Sequence, residues 1–225
     1  MDLEGTQFSH EMIEIGAYKV LLKDDLSVKR IAPGFSSYVK AHAKVGKVVT
    51  SLTGITDEKI KKDGLPFRLI QQGLKKYVGK EWGKCLFVTF GSHDLRIVMQ
   101  SAENNMDASI EEARYITHNA FDFSEFLARF IKDEHGNSYS LANYLKVFGV
   151  AFEGKAHSAL ADAYNLIDLY KAFLTKPEIV EEEYKKTLAR MSHFPIPVLR
   201  ILQKLCKGQN VTPADYENEI KEYLK

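Results

Sequence analysis

The alternation of hydrophobic and polar positions predicts a β-rich first third and a mainly helical remainder. Residues 12–22 are rich in β-branched and aromatic side chains and end at a polar turn. Residues 28–39 return from that turn, with an interruption at Pro33 and Gly34, which is the pattern of a hairpin. A continuous apolar run at 85–90, bounded by glycines, predicts a buried central strand.

Helical spacing dominates the rest of the chain. The strongest helix is predicted at 158–174, where apolar residues recur along one face. Thr56 is a predicted N-cap of an earlier helix, and a short strand is predicted at 114–117. Further helices are predicted at residues 66–78, 95–104, 123–133 and 140–148. Strands and helices that alternate in this way predict an α/β domain with a mixed sheet.

Composition limits the classes of protein to which the chain can belong. Its 225 residues, 45% of them hydrophobic, are enough to build a folded core. The two cysteines lie far apart without a CxxC pattern, which excludes a disulfide framework and a thiolate zinc site and favours a cytoplasmic protein. No apolar run approaches the roughly 18 residues of a membrane helix, and the N-terminus lacks the pattern of a signal peptide. The net charge is 31 − 30 = +1, so any site for a polyanion must be local.

The composition changes after Pro177, where runs of glutamate and lysine begin. We therefore expect one domain at 1–175 and a helical C-terminal extension at 176–225. A stripe of Arg200, Lys204 and Lys207 in this extension either contacts phosphates or is a solvated helix face. The extension could also form a homodimer or bind a protein partner.

Acidic residues recur at positions where their side chains can converge. Asp2 and Glu4 lie two residues apart, which places both carboxylates on one face of an extended strand. Asp94 follows the buried strand, at the end of a sheet where α/β proteins place their ligands. Asp162 lies inside the strongest predicted helix, and His157 just before it. Taken singly each is more often a cap or a surface residue, but carboxylate oxygens together are the ligands that hard divalent cations prefer.

Five short motifs follow one another along the chain. They are DLEGT at 2–6, IEIGA at 13–17, LTGIT at 52–56, GSHD at 91–94 and HSALAD at 157–162. In order and spacing they resemble the DEDDh 3′→5′ exonucleases. The segments FSSYVK at 35–40 and FGVAFEGKA at 148–156 are similar to those of the Eri-type exoribonucleases within that family. The resemblance covers about residues 1–175 and leaves the extension unaccounted for.

The resemblance implies a ribonuclease H-like fold, an α/β architecture with a mixed five-stranded sheet flanked by helices. It implies that two Mg²⁺ or Mn²⁺ ions are held by four carboxylates, those of Asp2, Glu4, Asp94 and Asp162. In the same family pattern His157 is the general base. The implied reaction is hydrolysis of single-stranded 3′ ends to nucleoside 5′-monophosphates, with RNA favoured over DNA.

Further residues are implied to contact the substrate. Those beside the terminal nucleotide are Leu3, Gly5, Thr6 and Gln7, and those that flank its base are Gly54, Ile55 and Thr56. For Ile55, as for Leu52, the alternative is core packing. His93 stands where Eri-type proteins often carry an aromatic residue, and it either stacks on a base or is a surface histidine. Glu14 is interpreted as structural, because its neighbours belong to the core of a strand.

One departure from the family pattern concerns the first strand. In the family a few apolar residues precede the first aspartate, whereas here Met1 alone precedes Asp2, so we expect a truncated strand. Either the true start lies upstream, or a shortened strand brings the charged amine close to the metals. In the second case the alternative function is a DEDDh-like module that binds nucleic acid or a partner without turnover. A third alternative, proofreading within a polymerase assembly, requires a docking segment such as the extension.

Overall fold

A computed structural model of the protein describes residues 1–191 and 193–224. The strands are β1 (Asp2–Gly5), β2 (Met12–Ala17), β3 (Val20–Leu22), β4 (Val28–Ile31), β5 (Phe35–Tyr38), β6 (Phe87–Thr89) and β7 (Ala120–Asp122). The helices are α1 (Lys47–Thr53), α2 (Asp57–Asp63), α3 (Phe67–Val78), α4 (His93–Asn104), α5 (Ile110–His118), α6 (Phe123–Leu127), α7 (Leu141–Val147), α8 (Ala159–Thr175), α9 (Pro177–Arg190), α10 (Ile196–Cys206) and α11 (Pro213–Tyr223). Strands dominate the first third and helices the remainder, as the hydrophobic pattern predicts.

The predicted hairpin forms in two sections. β2 pairs antiparallel with β5, and further along the chain β3 pairs antiparallel with β4. Pro33 and Gly34 fall between β4 and β5, because a proline cannot donate a ladder hydrogen bond. On its other edge β2 pairs antiparallel with β1, so the strand order is β1-β2-β5 and Glu4 lies opposite Glu14.

A separate sheet consists of the parallel pair β6 and β7. The mixed α/β fold is therefore confirmed, with antiparallel pairs among the first five strands and a parallel pair between β6 and β7. Within residues 1–191 and 193–224 the seven strands form three hydrogen-bonded sheets, of three, two and two strands, where a single sheet of five strands was expected. The Met1 ammonium joins the β1-β2-β5 sheet to β6 by donating to the carbonyl oxygen of Val88 at 2.7 Å. β1 itself pairs with β2, and the contact with β6 is made by Met1, the residue just before the strand.

The strand predicted at 114–117 is wrong, because these residues lie in α5. The Ser109 hydroxyl caps this helix by accepting from the Glu112 N–H at 3.2 Å. Ala113 and Ile116 are buried at helical spacing, so the apolar positions fit a helix. The strand of this region is β7, and its three residues are too few to show a period.

Helix ends follow local signals where the sequence offers them. Thr56 caps α2, its hydroxyl accepting from a first-turn amide at 3.1 Å, as predicted. α3 begins after Pro66 and ends before Gly79, whose φ of 67° is easily adopted by glycine. The helix predicted at 123–133 is shorter, since α6 has five residues.

In the part of the chain that the structure describes, three apolar clusters hold the sheets against the helices. One packs β1 and β2 against α3, α4 and α5, a second joins α6, α7 and α8, and a third joins β2 to α2. β1 also contacts both α4 and α8 directly. The packing therefore brings the two acidic residues of β1 close to the starts of two helices from distant parts of the chain.

Close approach of β2 to the start of α8 requires a glycine at position 16. A Cβ added to Gly16 would lie 2.1 Å from the backbone carbonyl carbon of Ala159, which a side-chain rotation cannot relieve. We expect Gly16→Ala to lower the free energy of unfolding by about 3 kcal/mol or more. Chemical denaturation followed by circular dichroism would measure the loss. Gly83→Ala is the matched control, because a Cβ there meets no atom within 4 Å, and equal effects of the two substitutions would contradict this packing.

The C-terminal extension is helical in the part that the structure describes, from which Ser192 and Lys225 are left out. Ile179 and Val180 of α9 pack against the second apolar cluster. α10 and α11 contact each other, and Arg200 and Lys204 both form ion pairs with Glu219, at 3.2 and 2.8 Å. Two cations of the predicted phosphate-contacting stripe are thus engaged within the extension.

Candidate active site

β1 presents two carboxylates on one face and an apolar side chain on the other. Leu3 is buried in the first apolar cluster, and Asp2 and Glu4 therefore point to the opposite side, as the alternation of a strand requires. α8 supplies Asp162 from its first turn. One carboxylate oxygen from each of the three lies within 4.8 Å of the others. Residues separated by 160 positions in the sequence thus form one acidic cluster.

Burial and mutual repulsion disfavour the ionised form of these carboxylates. The pKa of Glu4 is raised from 4.5 to about 7, mainly by burial and then by the charges of Asp162, Glu14 and Asp94. The pKa of Asp2 is raised well above its ordinary value, again first by burial and then by the neighbouring carboxylates. Such a cluster carries excess negative charge when it is ionised, and a bound cation would compensate this charge.

Asp94 lies beside this cluster, at the second residue of α4. Its Oδ1 accepts from the backbone N–H of Leu3 at 2.9 Å, which ties α4 to β1. Burial raises the pKa of Asp94 from 3.8 to about 7, and the Met1 ammonium opposes the rise. Burial likewise lowers the pKa of this ammonium, while Asp94 and Asp2 raise it. The expected proximity of the α-amino group to the acidic residues is therefore present in the structure.

His157 is exposed and lies on the loop that leads into α8. Its backbone has a φ of 62°, in the left-handed region that few residues other than glycine adopt. Burial raises the pKa of Asp162, whereas hydrogen bonds from the backbone of His157 and Ser158 and the charge of His157 lower it. His157 is thus a direct neighbour of the acidic cluster.

The loop after β1 uses several of its polar groups internally. The Thr6 hydroxyl is buried, hydrogen bonded with the Ser9 hydroxyl and accepting from the Glu11 N–H at 3.0 Å. The Gln7 side chain accepts from the Val48 N–H at 3.2 Å. Gly5 packs closely on a core isoleucine. These residues follow the acidic strand directly and link it to the start of α1.

The segment between α1 and α2 divides into exposed and buried positions. Ile55 is buried in the third apolar cluster, whereas Leu52 is 50% exposed. Gly54 ends α1 with a φ of 79°, and the Thr56 hydroxyl is occupied as the cap of α2. Core packing is therefore the observed environment of Ile55, and Leu52 has an exposed apolar surface.

Two histidines pack together beside Asp94. The rings of His10 and His93 are 5.1 Å apart and nearly perpendicular. The pKa of His93 is lowered, first by burial and then by the charges of His10 and Arg96. Phe8, on the same loop as His10, is 82% exposed. This edge of the site therefore combines two imidazoles with an exposed aromatic ring.

Two further residues lie beside the site: Glu14, which is interpreted as structural from the sequence, and Lys155, which the sequence does not identify. Glu14 is buried, faces Glu4 across the two strands and accepts from the Ala159 N–H at 3.1 Å. Lys155 donates from Nζ to the Thr53 carbonyl oxygen at 3.1 Å. A buried carboxylate in an apolar strand was a signal for Glu14, whereas only the tertiary structure could place Lys155.

The raised pKa values predict how the stability of the metal-free protein depends on pH. Between about pH 4 and 7 the folded state binds more protons at Glu4 and Asp94 than the unfolded state does, so the free energy of unfolding falls as pH rises. A shift of this size in one carboxyl corresponds to roughly 3 kcal/mol. Denaturation in EDTA at pH 5 and pH 8 would measure the loss. Glu4→Gln should make this fall in the free energy of unfolding smaller, whereas the exposed control Glu182→Gln should leave it unchanged. A free energy of unfolding that rises from pH 5 to pH 8 would contradict the expectation.

Comparison with solved structures defines the fold of the chain as ribonuclease H-like. The chain is similar to the nuclease domain of 3′hExo bound to rAMP, with 19% identity, a TM-score of 0.59 and coverage of 78% of this chain and 90% of that domain. It is similar to cell-death related nuclease 4 (CRN-4), with 19% identity, a TM-score of 0.58 and coverage of 77% of this chain and 62% of that chain. It also resembles E. coli Exonuclease I in complex with a dT13 oligonucleotide, with 15% identity, a TM-score of 0.58 and coverage of 87% of this chain and 45% of that chain. The chain therefore spans less than half the length of Exonuclease I.

The family described as RNase_T: Exonuclease matches residues 1–170. The chain belongs to this exonuclease family, and the resemblance to DEDDh 3′→5′ exonucleases is confirmed. No curated protein matches it. Among residues 1–191 and 193–224, none of the helices combines the length and the apolar character that crossing a bilayer requires.

Proposed function

We propose that the protein is a metal-dependent 3′→5′ exonuclease that removes nucleoside 5′-monophosphates from single-stranded 3′ ends. The observation that carries this proposal is the convergence of Asp2, Glu4 and Asp162, from a strand and a helix, within 4.8 Å. The fold alone would not suffice, because one fold supports many functions. Family membership and the acidic cluster together support phosphodiester hydrolysis.

The donor set fits Mg²⁺ or Mn²⁺. Both ions prefer oxygen ligands, and the cluster consists of carboxylates. Asp2, Glu4 and Asp162 would hold one ion, and Asp2 would share a second ion with Asp94 at the edge of the site. Two such ions, when bound, would activate water and stabilise the charge on the departing 3′ oxygen. Asp94 already orders β1 through the Leu3 amide, so its carboxylate both positions the strand and adds negative charge.

His157 is proposed as the general base. It is exposed to solvent, and it is close enough to Asp162 for its charge to affect the pKa of that carboxyl. An imidazole exchanges a proton near neutral pH, so it can accept the proton of an attacking water molecule. The first turn of α8 fixes Asp162 relative to this loop.

The substrate is proposed to be a single-stranded 3′ end, with RNA favoured over DNA. Leu3, Gly5, Thr6 and Gln7 would line the terminal nucleotide, mainly through backbone groups, since the Thr6 and Gln7 side chains bond within the protein. Gly54 and Thr56, with only the backbone of the core residue Ile55, would flank the base, and Leu52 adds exposed apolar surface there. His93 would stack on a base at the other edge. Selection of RNA requires a contact to the 2′-OH.

The test compares 5′-labelled RNA and DNA strands of the same sequence with Mg²⁺, with Mn²⁺ and with EDTA. We expect a ladder that shortens from the 3′ end, nucleoside 5′-monophosphates as the product and no cleavage in EDTA. His157→Ala should lower kcat by about a hundredfold or more. His135→Ala is the matched control, because His135 lies in an exposed turn away from the acidic cluster.

Two other outcomes of this test would contradict the proposed activity. Cleavage that persists in EDTA would refute the metal mechanism. Binding of the strands without cleavage would favour a DEDDh-like binding module, for which the Met1 ammonium beside Asp2 and Asp94 offers a structural cause. The domain at 1–175, the extension at 176–225 as a dimer or partner surface, and the cytoplasmic location stay predictions.

A further inference from the structure

The segment that carries His157 is held at both ends by residues from other elements. On one side Lys155 Nζ donates to the carbonyl oxygen of Thr53, at the end of α1, at 3.1 Å. On the other side the backbone N–H of Ala159 donates to Glu14 Oε2, on β2, at 3.1 Å. His157 lies midway between these two hydrogen bonds, and each joins the loop to a part of the protein more than 100 residues away.

The Glu14 contact is buried and suits the start of a helix. Glu14 is 6% exposed, and its carboxylate accepts from the first residue of α8, where negative charge is favourable. The positive charges of Lys59 and Lys155 also act on this carboxyl. Lys59 in turn lies over the Tyr38 ring, 4.5 Å from its centroid. Glu14 thus belongs to a polar cluster that joins β2 to the lysines of α2 and the loop and to the tyrosine ring of β5.

The Lys155 contact connects the loop to the segment proposed to flank the base. The Thr53 carbonyl lies at the C-terminal end of α1, where a cation is favourable. The ammonium also lies against the backbone of residue 54, since a Cβ added to Gly54 would be 3.2 Å from Nζ. Lys155 therefore links the position of the loop to the position of residues 53 and 54.

The backbone of His157 needs such support. Its φ of 62° is unfavourable for a residue with a side chain, and such conformations persist when the surrounding structure imposes them. A third anchor lies just upstream, where the Asn165 side chain accepts from the Glu153 N–H and donates to the Glu153 carbonyl oxygen. The Asn165 contacts fix the start of the loop, but they do not reach the residues on either side of His157.

We propose that Lys155 and Glu14 are positioning residues that hold His157 against the acidic cluster. The effect on catalysis rests on the proposed function. Lys155 acts through the loop, because its ammonium is hydrogen bonded to the end of α1. A lysine that bound a substrate phosphate would instead contribute to affinity and to its salt dependence.

The first experiment compares Lys155→Met, Lys155→Arg and the exposed control Lys146→Met in the full chain. We expect Lys155→Met to lower kcat by about tenfold with KM within about twofold of the original value, as for other residues that orient a functional group. Lys155→Arg keeps a donor and should recover most of the rate. An increased KM at unchanged kcat, with a weaker salt dependence, would overturn the proposal in favour of a phosphate ligand.

The second experiment measures amide hydrogen exchange of residues 153–159 and does not depend on activity. Lys155→Met should accelerate exchange in this segment at least about tenfold, and Lys146→Met should leave it unchanged. Glu14→Gln keeps an acceptor for the Ala159 N–H and should protect this amide better than Glu14→Ala, provided that thermal melts show both variants folded. Unchanged exchange in Lys155→Met and Glu14→Ala would overturn the proposal. A protein without nuclease activity whose loop responds as expected would reject the proposed function and retain the two positioning contacts.

Discussion

Asp162→Asn is expected to lower the rate of hydrolysis at least about a thousandfold and to make the metal-free protein more stable. The substitution removes one of the three clustered carboxylates and with it a ligand of the proposed ions. Loss of several kcal/mol of charge stabilisation in the transition state corresponds to this change in rate. Without metal, the same substitution removes repulsion from Asp2 and Glu4, whose pKa values Asp162 raises. Activity and stability should therefore change in opposite directions.

Steady-state cleavage assays and thermal melts in EDTA would measure the two effects. Asp168→Asn is a matched control, because Asp168 lies on the same helix and pairs with Lys171 outside the acidic cluster. It removes the same charge and should leave kcat unchanged without raising the melting temperature. Full activity of Asp162→Asn would contradict the proposed site, and a lower melting temperature would contradict the repulsion.

Mg²⁺ or Mn²⁺ should raise the melting temperature by about 5 to 10 °C. A ligand at a hundred times its dissociation constant stabilises the folded state by about 2.7 kcal/mol, and in a chain of this length each kcal/mol corresponds to about 2 to 4 °C. The gain arises because the cations compensate carboxylates that repel one another. The rise in melting temperature should be smaller at pH 5.5 than at pH 8. Glu4 and Asp94 each have a pKa of about 7, so at pH 5.5 they are mostly protonated and bind a cation less well.

Scanning fluorimetry with increasing metal concentration, after removal of metal with EDTA, would test this expectation. Asp162→Asn should lose most of the response, whereas Asp168→Asn should keep it. An equal shift in both variants would indicate that the ions bind elsewhere, and no shift in the original protein would contradict a metal site formed by the cluster.

The sequence predicted elements well where a local signal was strong. The 158–174 helix is α8, because its apolar residues keep helical spacing over several turns. The Thr56 cap and the hairpin through Pro33 and Gly34 are also found in the structure. Hydrophobic periodicity predicted the wrong element at 114–117, where a few apolar residues fit either a strand or a helix. It did not predict β7, because three residues are too few to show a period.

For the site, the sequence predicted the residues and the structure supplied their distances. Motif order selected Asp2, Glu4 and Asp162, and the structure brings these three together, with Asp94 bonded to the backbone beside them. It also shows that Ile55 is part of the core. No local pattern distinguishes Lys155 from other exposed lysines, because its partner is the Thr53 carbonyl, 102 residues away.

The sequence by itself determined the family, the acidic residues and most of the helices, because these depend on residue identity, motif order and periodicity. The tertiary structure alone decided that Glu14 supports the start of α8, that Lys155 joins the His157 loop to α1, and that β1 pairs with β2 while touching β6 through Met1. These contacts join residues far apart in the chain, and their existence depends on how the sheets and helices pack rather than on any local preference.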